Sequence, residues 1–578
     1  MRFHCLGVGS IGSLFATNLA SLPSAQVRLI LRRHDNAAQI LNSSRARDTD
    51  DKTPYGTLTV ERNGIVRRIT NLELELTRAS NAIHESTTLS SRTRPPVRID
   101  PRLWNRNDPI ETLVVTTKAP QTLPAVQQLL PRLSSRSTIV LCHNGMGVLE
   151  GLLAKFWPED RSDLIEAEYE RRGGAGGRGS WNSTGGRPSF VCATTTHGAW
   201  RQSAGHFIHA GMGDVKFGVV PNRAVQSALS SYPSPSWPSP SDNPILNPRS
   251  TVQPTLDHLP YTPATASLHT TVSSLLSCHD LHPIWLPLPR LQIAQLQKLA
   301  VNASVNSLTA VVGVNNGALV GSQKAKRVIA AVTAECSGVF AAHLAREEGR
   351  WSPPSEDDVD DVDHPLSPSH FPPPLPNSHP LSASSLTDYT ERVLIATSSN
   401  ISSTLSDVLS ASPSPSSSSS SSSSASALRA PSRNEIEYIN GYVSSLGRQY
   451  GVPTPTVDAL GDLVLLKEEM ARVGAVDRVW EGRRRAVEAK AAPPAAREGA
   501  GKGQKGRPSR SSSSSGSSAA SSPRSRSSSP TRPRSPADTK ARAHERARAH
   551  EQLRREQEER MARRGVERAR EEADRRGG

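Results

Sequence analysis

Apolar and polar positions alternate along this chain in blocks, and the period within each block predicts its structure. Strand-like runs lie at 3–8, 27–31, 113–119, 139–142 and 189–218. Longer stretches with helical periodicity lie at 13–21, 286–351, 386–411 and 430–482. Strands alternating with helices are typical of a parallel sheet covered by helices, and a run of helices predicts a separate helical unit. We therefore expect an α/β N-terminal domain followed by an all-α C-terminal domain.

Polar, low-complexity stretches rich in Ser, Pro, Gly and Arg separate these blocks. Such compositions bury too little apolar surface to offset the entropy of ordering the chain. We expect disordered insertions at about 42–107 (with weak strand signals near 56–68), 160–187, 352–385 and 412–429, and a Ser/Pro-rich polar insertion at 219–285. This division gives an α/β domain at 1–218, a helical domain at 286–485 and a basic disordered tail at 486–578, with 541–578 as a candidate terminal helix.

Composition supports this division. Only 35% of the 578 residues are hydrophobic, against roughly 45–50% in globular domains, so part of the chain is not packed core. With 22 Lys and Arg against 11 Asp and Glu, residues 491–578 hold +11 of the net charge of +15. The basic character therefore belongs mainly to the tail. Four interpretations of the tail stay open: nucleic-acid contact, a phosphorylated docking segment, a coiled coil, and a dispensable solvated tail.

The cysteines and the longest apolar runs limit the compartment. Five cysteines are widely dispersed without a CxxC pair, which argues against a disulfide framework and a zinc site. No continuous apolar run reaches the roughly 18 residues of a membrane helix, and no signal peptide precedes the first strand. We expect a cytoplasmic protein without membrane or metal, with a mitochondrial location left open.

A glycine-rich turn after the first strand carries the first functional signal. Its six residues, read as G-x-G-x-x-G in a strand–turn–helix context, are Gly7, Val8, Gly9, Ser10, Ile11 and Gly12. In this pattern the first glycine permits a tight turn, the second admits a pyrophosphate to the backbone and the third allows close helix–strand packing. The helix N-terminus then offers free N–H groups to the phosphates. The turn predicts a Rossmann-type dinucleotide-binding domain.

The end of the second predicted strand indicates which dinucleotide binds. An NAD site usually has an acid about 20 residues after the glycines, to bind the ribose 2′-hydroxyl. Here Arg32 occupies that position, and a cation suits a 2′-phosphate. NADP(H) is therefore favoured as the cofactor of residues 1–218, although Asp35 lies close by.

Polar residues follow the later strands where a ligand of a doubly wound sheet would lie. Lys118 ends the apolar run 113–119, and Asn144 follows the run 139–142. Ligands bind at the carboxyl ends of such strands, so both residues are candidates for cofactor contact. Taken singly, a surface lysine and a turn asparagine explain them equally well.

One predicted helix carries a polar face of unusual composition. Lys298, Asn302 and Asn306 are spaced four apart, so in an α-helix they stack along one face among apolar neighbours. A lysine there can protonate a carbonyl oxygen as hydride reaches its carbon, and the amides can hold substrate hydroxyl and carboxylate groups. A solvated polar stripe is the alternative at this stage.

Several short motifs, in this order, resemble the ketopantoate reductase (2-dehydropantoate 2-reductase) family. They are GVGSIG at 7–12, TTKA at 116–119, HNGMG at 143–147, TTTHGA at 194–199, KLAVNASVNSLTA at 298–310, NNG at 315–317, NISS at 400–403 and NEIEYINGY at 434–442. The resemblance implies NADPH-dependent reduction of ketopantoate to pantoate, a step toward pantothenate and coenzyme A.

The resemblance also implies residue roles. Lys298 would be the general acid, with Asn302, Asn306, Asn316 and Ser403 lining the substrate site. The residues expected to contact NADPH or lie beside it are Lys118, Asn144, Ala199 and Glu435. His197 also matches the family, and we interpret it as a structural, hydrogen-bonded histidine.

The chain departs from the family pattern between the motifs. The Ser-rich stretch between Ser403 and Glu435 makes the placement of Glu435 the least certain expectation. A homodimer is compatible with the sequence, which does not define the oligomeric state. The alternatives are another NADP-dependent keto- or hydroxy-acid reductase of the same architecture, and a scaffold or RNA-binding protein working through the tail. Retention of Lys298 and the glycines argues against the second.

Overall fold

The computed structural model describes residues 1–32, 34–45, 55–77, 108–158, 186–232, 239, 242–351, 372–411 and 434–472. The predicted tail at 486–578 lies outside the described residues. So do the predicted insertion at 412–429 and all but the last two residues of that at 160–187.

An eleven-stranded sheet organises the N-terminal half. Its strands are β1 Arg2–Leu6, β2 Gln26–Leu31, β3 Tyr55–Arg62, β4 Ile65–Leu76, β5 Thr112–Val115, β6 Thr138–Cys142, β7 Ser189–Thr195, β8 Gly198–Ser203, β9 His206–Gly211, β10 Val215–Val220 and β11 Pro283–Trp285. They lie in the order β11-β10-β7-β6-β5-β1-β2-β4-β3-β9-β8. The six central strands, β7 to β4 in that order, are parallel. This confirms the predicted α/β domain.

Apolar cores cover both faces of the central strands, because alternate side chains of a strand point to opposite sides. In β1, Phe3 and Cys5 enter one core while Leu6 enters the other. The helices of this half are α1 Ser10–Ala20, α2 His34–Arg45, α3 Ala119–Gln127, α4 Val148–Phe156, α5 Arg223–Ser230 and α6 Ala266–Ser277. The strands are buried on both faces, as their continuous apolar runs predict.

The C-terminal half is helical, as predicted. Its helices are α7 Leu288–Val301, α8 Ser307–Val312, α9 Gln323–Glu347, α10 Ala383–Ala396, α11 Ser403–Ser410, α12 Ile436–Tyr450 and α13 Pro455–Arg472. A π-helical turn, Asn302–Asn306, connects α7 to α8. Helices α7, α9 and α12 share one core, in which Leu296, Phe340 and Val443 are fully buried. Helix α7 also packs on β10, so the same helix contacts both halves.

Two expected insertions belong to the fold instead. Within 42–107, strands β3 and β4 form an antiparallel pair, and β4 also pairs in parallel with β2. Its inner end is buried at Leu72, Leu74 and Leu76. The prediction was wrong because the polar segments around the pair dominate the composition of 42–107, although these leucines alternate with charged residues as in a strand.

The stretch 219–285 is also corrected. It supplies α5, α6 and β11, and Leu229, Leu268 and Val272 are buried in the first core. Each helix has only a narrow apolar face between Ser/Pro-rich segments, so composition obscured it. Within the expected insertion 352–385, Leu381 is fully buried and α10 begins at Ala383.

Helix α9 bears on the expectation of no membrane segment. Among the described residues it is the helix whose length and mean hydropathy of 1.6 would allow it to cross a membrane, and half of that stretch is buried in the protein. Cys336, Val339 and Phe340 of this helix are wholly buried against neighbouring helices. This packing is that of a core helix in a globular domain.

A buried ion network surrounds Arg28 of strand β2. Arg28 is only 1% exposed and contacts Glu73 at 2.7 Å, Asp108 at 2.7 Å and Glu75 at 3.6 Å. Arg132 bonds Glu75 from the opposite side. Without Arg28, Arg2 and Arg132 would remain as the cations that contact these carboxylates, so the buried acceptors would have fewer donors.

We expect Arg28→Met to lower the free energy of unfolding by about 2 kcal/mol, because the carboxylates around it lose a donor. Arg67→Met is the matched control, since the Arg67–Asp280 pair is short, 2.6 Å, but more than half exposed on both sides. The control should lose less than about 1 kcal/mol. Urea unfolding measures both, and equal losses would contradict this account.

Candidate active site

The glycine turn after β1 is built as the sequence predicts. Gly7 has φ +96°, and a Cβ there would lie 2.4 Å from the Thr117 nitrogen. A Cβ on Gly12 would lie 2.2 Å from the carbonyl oxygen of Gly7. Gly9 differs, because it is exposed and a Cβ would meet nothing within 4 Å. Gly7 and Gly12 therefore allow close packing, while Gly9 leaves open space over the backbone.

This turn lies at the switch point of the sheet. Strand β1 pairs in parallel with both β2 and β5, so the chain continues to opposite sides of it. A crevice for ligands forms outside the carboxyl ends of strands at such a point. Thr116, just after β5, closes the turn by donating from Oγ1 to the Gly7 oxygen at 2.6 Å. Val8, Ser10 and Ile11 are half-buried around the turn, and Arg32 is exposed just after β2.

A small cleft lies between the two halves beside this edge of the sheet. Its lining residues are His143, Gly145, Thr194, Gln295, Lys298, Leu299 and Asn302. Lys298 donates from Nζ to the Thr195 oxygen at 2.8 Å, at the end of β7. Burial lowers the pKa of Lys298, an effect that Cys142, Glu435 and Asp214 partly oppose. The ammonium is thus a stronger acid than an ordinary lysine.

The predicted polar helix face is interrupted by a π turn. The expected α-helical spacing is corrected here, since Asn302 and Asn306 bound the π-helical turn. The two amides still meet, because Asn306 Nδ2 donates to Asn302 Oδ1 at 3.2 Å. Such single π turns often lie at functional sites. Lys298 and both asparagines therefore lie on one continuous helical segment, in which the turn changes from α-helical to π-helical after residue 301.

Glu435 lies against the N-terminal half despite the Ser-rich stretch that precedes it. Its side chain is buried, and it accepts from Lys118 Nζ at 3.2 Å, the Ala119 N–H at 3.3 Å and Asn144 Nδ2 at 3.4 Å. The HNGMG turn docks on the same segment, since the Met146 N–H donates to the Tyr438 oxygen at 2.9 Å. Three predicted site residues from distant parts of the chain are therefore together.

The remaining predicted residues are placed as follows. Asn316 is buried, its N–H donates to the Asn400 oxygen at 3.1 Å, and its Nδ2 donates to Thr397 Oγ1 at 2.8 Å. This joins the NNG and NISS motifs. Ser403 is the first residue of α11. Ala199 lies in β8, where it pairs with His209, and is not among the residues that line the cleft.

Buried histidines support the end of β7. His197 Nδ1 lies 3.0 Å from His209 Nε2 and accepts from the Gly213 N–H at 3.0 Å, and its Nε2 lies 3.0 Å from the Leu281 oxygen. These contacts agree with a structural role for His197, two residues beyond the Thr195 carbonyl that Lys298 contacts.

Two residues of the site were not predicted from the sequence to have a role there. His143 lines the cleft and contacts Thr122 Oγ1 at 2.8 Å, and burial lowers its pKa to about 4, which keeps the ring neutral at physiological pH. Asp407 of α11 contacts Lys118 Nζ at 2.9 Å. Its spacing of four residues from Ser403 on a helix is the signal that could have indicated it.

Comparison with known proteins agrees with this architecture. The family model described as Ketopantoate reductase PanE/ApbA matches residues 3–222, and the model of its C-terminal part matches residues 290–417 and 414–468. The chain belongs to the ketopantoate reductase family. It is therefore an oxidoreductase of this family, with an N-terminal nucleotide-binding domain and a helical C-terminal region.

Individual relatives are similar at low identity. A probable 2-dehydropantoate 2-reductase of Schizosaccharomyces pombe is 28% identical over 337 residues, covering 58% of this chain and 71% of the relative. A ketoisovalerate reductase of Gibberella intermedia is 24% identical over 326 residues, covering 55% and 62%. A structure of D-mandelate dehydrogenase with NADH and anilino(oxo)acetate matches 82% of this chain and 99% of its own, with 16% identity and a TM-score of 0.47.

Proposed function

We propose that this ketopantoate reductase family member reduces ketopantoate to pantoate with NADPH. The observation that carries the proposal is the Lys298 ammonium in the cleft, with its pKa lowered, beside the switch-point edge of a dinucleotide-type sheet. Membership of the family supports the reaction class. The product would serve the synthesis of pantothenate and coenzyme A.

The residues around the glycine turn fit a dinucleotide. Gly9 is exposed with open space where a Cβ would stand, so a pyrophosphate can approach the backbone. The free N–H groups at the start of α1 favour an anion there. When bound, NADPH supplies the hydride for the keto carbon. Lys118, Asn144, Ala199 and Glu435 are proposed to contact the cofactor or lie beside it.

The chain's own residues then orient the substrate and move a proton. Lys298 Nζ donates its proton to the keto oxygen as that oxygen gains negative charge, which is general acid catalysis. Asn302, which lines the cleft, and Asn306, which bonds to it, are proposed to hold polar groups of the substrate. Asn316 and Ser403 are proposed to complete the substrate site. The apolar Leu299 in the lining favours the exclusion of water around the reacting carbonyl.

The test is NADPH oxidation by the full chain with two substrates that differ in one hydroxymethyl group on C3. Ketopantoate carries a hydroxyl on its terminal carbon, whereas ketoisovalerate has no hydroxyl. We expect kcat/KM to favour ketopantoate by at least about tenfold, because a site that hydrogen-bonds a hydroxyl rejects the analogue lacking it. A preference for ketoisovalerate would support the second candidate, which the Gibberella relative favours. If NADPH is not oxidised with either keto acid, the proposal is refuted.

Arg32 is expected to select NADPH over NADH. Arg32→Ala removes the cation proposed to meet the 2′-phosphate, so the KM for NADPH should rise about tenfold, while that for NADH stays unchanged. Arg223→Ala, in α5, is the control for loss of one exposed positive charge. Equal changes for both cofactors would show that Arg32 does not read the 2′-phosphate.

A further inference from the structure

A cluster of three charged side chains joins the two halves beside the cleft. Lys118, after β5, contacts Asp407 Oδ2 at 2.9 Å and Glu435 Oε2 at 3.2 Å. Asp407 lies in α11, and Glu435 immediately precedes α12. The side chains of Asp407 and Glu435 are 21% and 4% exposed, so the cluster is largely removed from water. One ammonium of the nucleotide-binding half thus holds two elements of the helical half.

The two carboxylates depend on Lys118 to different degrees. Glu435 also accepts from the Ala119 N–H and from Asn144, so it stays anchored without the lysine. Asp407, in contrast, has one side-chain hydrogen-bonding partner within the described residues, which is Lys118. The Lys118–Asp407 contact is therefore the link between α11 and the nucleotide-binding half that one substitution can cut.

Helix α11 also contacts α8, which follows the helix of Lys298 after the π turn. Its N-cap, Ser402, accepts from Thr309 Oγ1 of α8 at 2.8 Å. Ser403 and Asp407 are four residues apart on α11, so they lie on the same helix face. Lys118 contacts this face through Asp407, so the ion pair acts on the same side of α11 as Ser403.

We propose that Asp407 is a positioning residue for the keto acid, which acts through Lys118 to hold α11 and Ser403 at the cleft. This rests on the proposed function, and it adds a residue that neither contacts substrate nor transfers a proton. Removing the charge of Asp407 should weaken substrate binding and leave the chemical step nearly unchanged, because Lys298 keeps its own contacts.

The electrostatics of Asp407 agree with a functional rather than a stabilising role. Burial raises the pKa of Asp407 to about 6, although Lys118 lowers it, and Glu435 and Glu468 add to the rise. Its folded pKa lies above the ordinary value of about 4, so its contribution to stability is present below that value and is lost as pH rises through about 6. At pH 7.5 the ionised carboxylate adds no stability to the fold.

The test compares the full chain with Asp407→Asn, which keeps the shape and removes the charge. At pH 7.5 we expect the KM for ketopantoate to rise about tenfold and kcat to stay within about twofold. The melting temperature should not fall. Asp462→Asn, an exposed aspartate on α13, is the matched control and should change none of these values. An unchanged KM, or a change in kcat alone, would overturn the proposal.

A second variant tests the route through Lys118. In a Lys118→Met background, Asp407→Asn should raise KM no further, because its partner is already lost. Additive increases would show that Asp407 acts by another route. The pKa of Asp407, followed by carbon-13 NMR of its carboxyl group, gives a readout independent of turnover. Lys118 lowers this pKa, so in Lys118→Met it should rise above about 6, and an unchanged pKa would refute the link even if the keto acid proves to be a different one.

Discussion

Lys298→Ala should lower kcat by about 10²–10⁴-fold with ketopantoate, the range that a positioned general acid supplies. The ammonium donates to the Thr195 oxygen and lines the cleft, so the variant loses both the proton and its placement. NADPH affinity should stay within about threefold, because Lys298 lies on the helical side of the cleft. A stopped-flow measurement of NADPH oxidation separates the two effects.

The pH dependence of this step has a defined sign. Lys298 must be protonated to act as an acid, so turnover should fall as pH rises through its pKa. Burial lowers that pKa, and the fall should come at a lower pH than the ordinary lysine value of about 10.4 implies. Lys155→Ala, an exposed lysine bonded to Gln127, is the control and should keep the full profile. Retention of kcat within tenfold in Lys298→Ala would exclude it as the general acid.

Gly12→Ala should prevent stable folding of the nucleotide-binding half. A Cβ there would lie 2.2 Å from the Gly7 oxygen and 2.4 Å from Thr116 Oγ1, and the first is backbone that cannot move aside without opening the turn. Alanine favours an α-helix over glycine by only about 1 kcal/mol. The clash should exceed that gain and cost more than about 4 kcal/mol, the range of the most damaging single substitutions. Thermal unfolding followed by circular dichroism measures the loss.

Gly9→Ala is the matched variant for the same turn. Its backbone is extended, with φ −88°, and a Cβ would meet no atom within 4 Å, so the melting temperature should stay unchanged. The added methyl would occupy the space proposed for the pyrophosphate, so NADPH should bind at least about tenfold more weakly. Unchanged NADPH affinity would place the cofactor elsewhere, and a large loss of stability would contradict the open space at Gly9.

Sequence by itself determined the local chemistry of this protein. The strand–turn–helix at 1–20 and the polar face beginning at Lys298 are encoded by residues a few positions apart, where period and spacing act directly. The ordered motifs likewise indicated the ketopantoate reductase family. Strand β4 and helix α6 were not predicted, because both lie within long polar stretches whose composition outweighed their own apolar positions.

Only the tertiary structure decided which distant groups share a site. Lys118 and Glu435 are 317 residues apart, and their contact depends on how α12 packs against the HNGMG turn. The contact between Asp407 and Lys118 arises in the same way, through the docking of α11. The π turn at Asn302 also depends on the packed surroundings of its helix. Sequence spacing fixes neighbours along a helix or strand, whereas the meeting of two elements is set by the surfaces they bury together.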